Sequence, residues 1–490
     1  MATVQVEERQ RLLIGGEWVE AADGRAWDSS GPVAGEPSSS VVAAGREDVR
    51  RAVEAAAAAF PAWSASAPGG RRSLLNAAAS LLEERAEEIA GLMTAETGGT
   101  FGWGMFNVQL AAGMLREAAA QAYGAVGEVI PSDVPGVLAM GIRQPAGVVA
   151  SLAPWNAPVI LGVRAVAMPL AYGNTIVFKA SEECPRVHAA IARVLVDAGF
   201  PAGVLNLIVN EPSDAADVVD ELIAHPSVRR INFTGSTRVG RIIAEKAGRQ
   251  LKRVLLELGG KAPLIVLDDA DLDEAAAAAN FGAFFHQGQI CMSTERIVVD
   301  RSVADDLCER LTSRASSLVV GDPREPSTQI GPMINAAALQ RVSSLVEDAR
   351  SRGASVLCGG SADGLCYSPT VLAGVTPEMR LYGEESFGPV VTVVPVSGVD
   401  EAVRVANDTE YGLSGAVFGR DVPRAFDVAR RLETGICHVN GATVADEPQM
   451  PFGGVKASGF GRFGGRAALE EFTELRWITV GGPEGRHYPI

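Results

Sequence analysis

The chain predicts an α/β protein made of two successive parallel-sheet blocks, and three observations carry that prediction. Residues 148–267 alternate short β-branched runs with helical stretches, the pattern of βαβ crossovers around a sheet covered on both faces. The same alternation resumes from 263 onward. The length, 490 residues at 47% hydrophobic and 21% charged, is too great for one ordinary core and has a globular composition.

The elements follow in order. The N-terminal run MATVQVEERQRLLIGGEW carries charges where a secretion signal needs an apolar stretch. The alanine-rich runs at 55–59 and 275–279 are good helix formers and read as helix interiors. Residues 127–147 read as a β-hairpin turning at Pro135-Gly136. In the first block, strands are expected at 148–153, 174–179, 204–209, 230–235 and 253–258, with helices around 158–171, 185–199, 213–224 and 237–248. The second block opens with PLIVL (263–267), a helix over about 271–286 and the strand RIVVD. It continues with helices through 302–318 and 335–352, the strands VTVVPV, GAVF and ICHVN, and helices near 399–407 and 421–433. FTELRWITV (472–480) reads as a further strand. This strand and the 127–147 hairpin belong to neither block. Unpaired strands are liabilities, and a partner subunit is the economical cover for them.

Composition excludes several function classes. The net charge is −16 with no clustered Lys or Arg, which argues against a nucleic-acid partner. No run of about 18 apolar residues appears, so no membrane span is expected. The six cysteines, at 184, 291, 308, 358, 366 and 437, form no CxxC pair and have no histidines placed to complete a zinc set. No metal is expected. Unpaired thiols in a large chain suggest a reducing compartment, the cytoplasm.

Chemistry-bearing residues gather where the first block's strands end. APWNAP (153–158) puts Asn156 at the carboxyl end of the first strand, where open α/β sheets bind ligands and a fixed amide can donate to an oxyanion. It is equally a common turn residue. FKASE (178–182) offers Lys179 and Glu182 to a ribose, or forms a solvated ion pair. FTGSTRVG (233–240) sets Gly235 and Ser236 at a helix start with Gly240 five residues beyond Gly235. That is a phosphate cradle or an ordinary Ser/Thr cap, and it departs from GxGxxG. LLELGGK (255–261) ends an apolar strand on Glu257, whose burial would raise its pKa and suit it to act as a base. In HQGQICMSTERIVVD, Cys291 taken alone reads more readily as a packed thiol than as a nucleophile. The joint occurrence of these groups, in this order, changes that balance.

PWN, FKASE, FTGSTRVG, LELGGK, GQIC, EESFGPV and PFGGVKASGFGR stand in the order and at the spacings of the aldehyde dehydrogenase superfamily, which the chain resembles over nearly its whole length. The resemblance implies a Rossmann-type cofactor domain (1–122 and 146–257), a second α/β catalytic domain (258–470) and small β oligomerisation segments (123–145 and 471–490). It implies Cys291 as nucleophile, Glu257 as general base, and Asn156 as oxyanion donor together with the Cys291 backbone N–H. It places NAD, with NADP possible, against Trp155, Lys179, Glu182, Gly235, Ser236, Gly240, Leu258, Glu385 and Phe387. A homodimer or homotetramer is implied as well.

Stretches such as APWNAPVILGVRAVAMPL and QMPFGGVKASGFGRFGG resemble the vanillin, benzaldehyde and salicylaldehyde dehydrogenase subgroup in particular. This implies an aromatic aldehyde as substrate and a pocket of Asn107, Met114, Ile290, Met292 and Phe452, with Asn107 expected to face the ring. An aliphatic aldehyde or semialdehyde is the alternative substrate. A non-redox cysteine acyl hydrolase and a non-catalytic relative are the alternatives of other classes. Two departures from the family pattern stand out: Ser386, where an apolar residue is commoner, and the run GPVAGEPSSSVV.

Overall fold

The computed structural model describes residues 9–36, 38–482 and 490. The parts of the expected outer segments that fall in 1–8 and 483–489 lie outside the described residues, as does Pro37 within the divergent N-terminal run.

The five expected strands of the first block form at Val148–Leu152, Thr175–Lys179, Leu205–Ile208, Val228–Thr234 and Arg253–Glu257. They pair in parallel, each being apolar enough to lie between two layers of helices. In space the chain order runs 205–208, 175–179, 148–152, 228–234, 253–257. The direction of progression therefore reverses beside 148–152, and a crevice opens there at the strands' carboxyl ends. The helix Pro158–Ala171 forms where expected and is buried at every position.

Both edges of this sheet are antiparallel. Leu12–Ile14 pairs with Leu205–Ile208 on one side, and Gly459–Phe460 with Arg253–Glu257 on the other. The second edge crosses the domain boundary expected at 258, because residues 459–460 complete the first sheet. Glycine permits this approach: a Cβ on Gly459 would lie 2.0 Å from the Leu256 carbonyl oxygen.

The second block builds a seven-stranded sheet in the order 355–358, 370–373, 390–396, 294–300, 262–266, 414–418, 436–439. Its first two strands were not legible in the sequence. They are short, half-buried at Ser355–Cys358, and follow a loop-rich stretch. Nor was the four-helix run before the hairpin, Arg46–Ser64, Pro68–Glu84, Ala86–Thr97 and Phe101–Gln121, anticipated as a whole. The helix expected over 421–433 is shorter, Val422–Ala429.

The hairpin forms from Glu128–Ile130 and Leu138–Pro145, and Gly136 takes a positive φ of 75° at its turn. The strand Thr473–Val480 pairs along the whole of Leu138–Pro145. The two segments left over from the sequence thus cover each other within one chain, a pairing that strand-by-strand reading does not reveal. Trp477 and Leu475 remain 79% and 63% exposed on this small sheet. No helix among the described residues is long and apolar enough to cross a membrane.

Candidate active site

A cavity of about 970 Å³ lies at the carboxyl edge of the first sheet. Its walls include Trp155 and Asn156 after the first strand, Gly235, Ser236 and Thr237 after the fourth, and Glu257, Leu258 and Gly259 after the fifth. The second sheet supplies Cys291, Glu385 and Phe387. Groups scattered over more than two hundred residues meet because both sheets end at one crevice.

The loop presenting Cys291 is held in an unusual backbone. His286, Gln287 and Gly288 have φ of 50°, 55° and 67°, three consecutive left-handed residues of which only one is glycine. Such a run persists only where surrounding contacts over-determine it. Gln287 Nε2 donates to the carbonyls of Gly98 (3.0 Å) and Pro332 (2.9 Å). The His286 ring stacks on Trp103 at 5.0 Å. Gln289 Oε1 accepts from Ile334 N–H (3.0 Å), Ser293 Oγ donates to Gly288 O, and Thr443 Oγ1 donates to Met292 O. The two glutamines around the cysteine are therefore struts.

The two glycines after Glu257 have steric reasons. A Cβ on Gly260 would lie 2.2 Å from the Cys291 carbonyl oxygen, and one on Gly259 would lie 2.6 Å from the Glu385 carboxylate. Side chains there would push the Cys291 loop and Glu385 away from the strand end.

Asn156 is buried. Its Nδ2 donates to Gln289 O (2.9 Å), leaving a second N–H, and its backbone carbonyl accepts from Trp103 Nε1 (3.2 Å). Glu257 is 2% exposed, and neither carboxylate oxygen has a hydrogen-bond partner. Burial pushes its pKa up to about 8, with the Arg164 and Arg462 charges opposing. The Cys291 thiol is pushed up far more, first by burial and then by the charges of Glu257 and Glu385, with Arg164 pulling the other way. Burial beside acidic neighbours thus favours the neutral forms of both thiol and carboxyl.

Of the expected cofactor residues, Trp155, Gly235, Ser236, Leu258, Glu385 and Phe387 line the cavity. Ser236 is also a true helix cap, accepting from Val239 N–H, so its capping reading holds. Gly240 serves packing: a Cβ there would lie 2.5 Å from the Leu258 side chain. Trp155 meets Phe387 edge-on at 5.8 Å. Glu385 accepts from Gly260 N–H (2.8 Å), yet burial still raises its pKa to about 7. Lys179 and Glu182 are ion-paired to each other at the end of the second strand, outside the residues that line this cavity. Asn210, missed in the sequence, donates to Glu182 Oε1 (2.9 Å). Burial works against the Glu182 charge, but Lys179 outweighs it and keeps the pKa below its usual value. Ser386 gives both its N–H and its hydroxyl to buried Glu295, which is paired with Lys261 at 2.6 Å, so the departure from family pattern has a polar partner.

The expected substrate pocket divides. Met114 and Phe452 line a second, apolar pocket with Ala167, Met168, Pro448 and Met450. Ile290 and Met292 are buried in the core rather than among the residues lining either cavity. Asn107 does not face a ring: it is fully buried, its Nδ2 donates to Trp103 O (3.0 Å), and its Oδ1 accepts from Ile160 N–H (3.4 Å). A polar side chain between two packed helices is consumed by backbone partners. Sequence reading also missed Arg164 and Asp446, an ion pair lining the same apolar pocket. A signal was present: Arg164 is the one charged residue in PVILGVRAVAMPLA, whose helix is buried throughout.

No group of three or more His, Cys, Asp or Glu side chains suited to a metal occurs among the described residues, and all six cysteines are free.

Comparison with known proteins agrees with this geometry. The model of the aldehyde dehydrogenase family matches residues 18–478. A vanillin dehydrogenase of Pseudomonas sp. (strain HR199 / DSM 7063) is 57% identical, covering 98% of this chain and 99% of that protein. A benzaldehyde dehydrogenase [NAD(+)] of Pseudomonas putida is 41% identical over 96% of each. The crystal structure of a salicylaldehyde dehydrogenase from Pseudomonas putida G7 complexed with salicylaldehyde superposes with a TM-score of 0.96 at 45% identity, covering 99% of this chain and 100% of that one. A strained cysteine loop, a buried carboxyl and an amide around one crevice, on this fold and with these relatives, mean that the chain belongs to the aldehyde dehydrogenase family and is an oxidoreductase acting on aldehydes.

Proposed function

We propose that this enzyme oxidises aromatic aldehydes to carboxylic acids with NAD, using Cys291, Glu257 and Asn156. The observation that carries the reading is the convergence of these three groups on one cavity whose far wall is the N-terminus of the helix Thr237–Arg249.

The Cys291 thiol gives its proton to solvent as the sulfur bonds to the aldehyde carbon. The carbonyl oxygen takes the electron pair, and the spare N–H of Asn156 stabilises it with the Cys291 backbone N–H. Bound nicotinamide supplies the hydride acceptor through which the adduct becomes a thioester. Glu257, with no hydrogen bond of its own to break, then takes a proton from water as the water oxygen attacks the acyl carbon. The acid leaves and Cys291 is regenerated. The cavity suits a dinucleotide. The helix N-terminus behind Gly235 and Ser236 fits a pyrophosphate and Glu385 the nicotinamide ribose, while Lys179 with Glu182, beyond the cavity lining at the end of the second strand, fits the adenosine ribose. An anionic Glu182 accepts from a free 2′-hydroxyl and repels a 2′-phosphate, which favours NAD over NADP.

The aromatic preference rests on the relatives named for vanillin, benzaldehyde and salicylaldehyde, and on the apolar pocket of Met114, Met168 and Phe452. A soluble cytoplasmic homodimer or homotetramer is the accompanying assembly. Initial rates of NAD and NADP reduction over aromatic and aliphatic aldehydes test the reading. Benzaldehyde-type substrates with NAD should lead in kcat/KM. Equal rates with short aliphatic aldehydes would remove the aromatic assignment, and faster turnover with NADP would remove the role given to Glu182.

A further inference from the structure

Arg164 and Asp446 form an ion pair beside the catalytic groups, with side chains only 6% and 9% exposed. Burying such a pair carries a large desolvation cost, and the mutual attraction offsets it only with good geometry and satisfied lone pairs. Here the satisfaction is incomplete. Asp446 Oδ1 has no hydrogen-bond partner, and burial, opposed by Arg164, raises the carboxyl's pKa. Arg164 itself lies over the Phe452 ring at 4.0 Å.

The location gives this unsatisfied oxygen a use. The helix Pro158–Ala171 presents Leu161 to the cavity that holds Cys291, and presents Arg164, one turn along the same face, to the apolar pocket. Asp446 lines that pocket too, with Met114, Met168, Met450 and Phe452 as apolar walls and exposed Glu447 beside it. A flat ring reaching from Cys291 along this face of the helix would bring its far edge toward Asp446.

We infer that Asp446, held in place by Arg164, is a specificity-determining residue whose free carboxylate oxygen accepts a hydrogen bond from a phenolic hydroxyl at the meta or para position of a benzaldehyde. The substrate class is the neutral hydroxybenzaldehydes. A phenolate would meet the carboxylates of Asp446 and Glu447, and an ortho hydroxyl stays beside the carbonyl. A hydrogen bond to a buried charged acceptor contributes more than one between neutral groups, and a site built for a hydroxyl discriminates against analogues lacking the donor. This inference rests on the aromatic reading above.

The test compares kcat/KM for 3- and 4-hydroxybenzaldehyde with that for the corresponding methoxybenzaldehydes, which keep the oxygen and lack the donor. The wild-type enzyme should favour the hydroxy member by about tenfold or more. Asp446→Asn should cut that ratio severalfold, mainly through KM. The double variant Arg164→Met/Asp446→Leu, which replaces the pair by apolar groups of similar size, should abolish it. Because each ratio is taken within one protein, a general loss of activity or folded fraction cancels. A wild-type ratio near one would overturn the inference, as would a ratio that Asp446→Asn and the double variant leave unchanged. Benzaldehyde oxidation by the wild-type enzyme reports separately on the aromatic reading, so the two failures are distinguishable.

Discussion

Burial raises the pKa of both Glu257 and Cys291, and the Glu257 charge raises that of Cys291 further. The carboxyl is pushed up to about 8, so near neutral pH it is mostly protonated and only its ionised fraction can take a proton from water. Activity that requires the ionised form is complete above that pKa and lost as pH falls through it. The expected profile is therefore a kcat that rises through about pH 8 and levels roughly one pH unit above it, measured by nicotinamide absorbance. Glu257→Gln should lower steady-state turnover by roughly 10²- to 10⁴-fold while leaving a pre-steady-state burst of reduced nicotinamide. A variant that kept wild-type turnover would remove Glu257 from deacylation. The burial of Glu257 was readable in the sequence because this carboxylate ends an apolar strand. Asn107 was misread because a helical wheel shows which face is polar, not which backbone groups on the next helix absorb that polarity.

At the scale of elements, the site depends on backbone approaches that only glycine allows. Gly260 lies against the carbonyl of Cys291, where a Cβ would sit at 2.2 Å. Backbone on both sides of that contact cannot yield as a flexible side-chain tip would, so Gly260→Ala must displace the cysteine loop. The expected result is a fall in kcat of at least tenfold with a lower Tm, an overpacking cost of about 1–3 kcal/mol by thermal unfolding. Unchanged kcat at full stability would show that the loop moves without consequence. The doublet Gly259-Gly260 was visible in the sequence; its reason was not, because Cys291 and Glu385 reach it from 31 and more residues away.

Over the whole molecule, residues that follow strands of two separate sheets line one crevice, and a small three-stranded sheet of 128–130, 138–145 and 473–480 is distinct from both. Trp477, Leu475, Val129 and Leu138 are exposed on it, more apolar surface than a solitary sheet of three strands ordinarily shows to water. If this sheet carries the proposed homo-oligomer contact, Trp477→Glu with Leu475→Glu should give smaller species in sedimentation velocity, with the catalytic cavity untouched. An unchanged sedimentation coefficient would place the subunit contact elsewhere. The β segments were recognised as strands from alternation and turn residues, but their mutual pairing joins positions more than 300 apart.

What the sequence determined by itself was the periodic part of the protein: the five-strand parallel block, the helix Pro158–Ala171, and the kinds of chemical group set at each strand end. Strand and helix periods are local, and ligand edges follow from strand direction, so neighbouring residues suffice to read them. What only the tertiary structure decided was which of those groups share a cavity and which are consumed by packing. The left-handed run before Cys291, the completion of the first sheet by Gly459–Phe460, and the buried Arg164 and Asp446 pair all arise from contacts between distant parts of the chain. Burial, which sets the protonation of Glu257 and leaves Asp446 with a free oxygen, is a property of those contacts and not of any short stretch of residues.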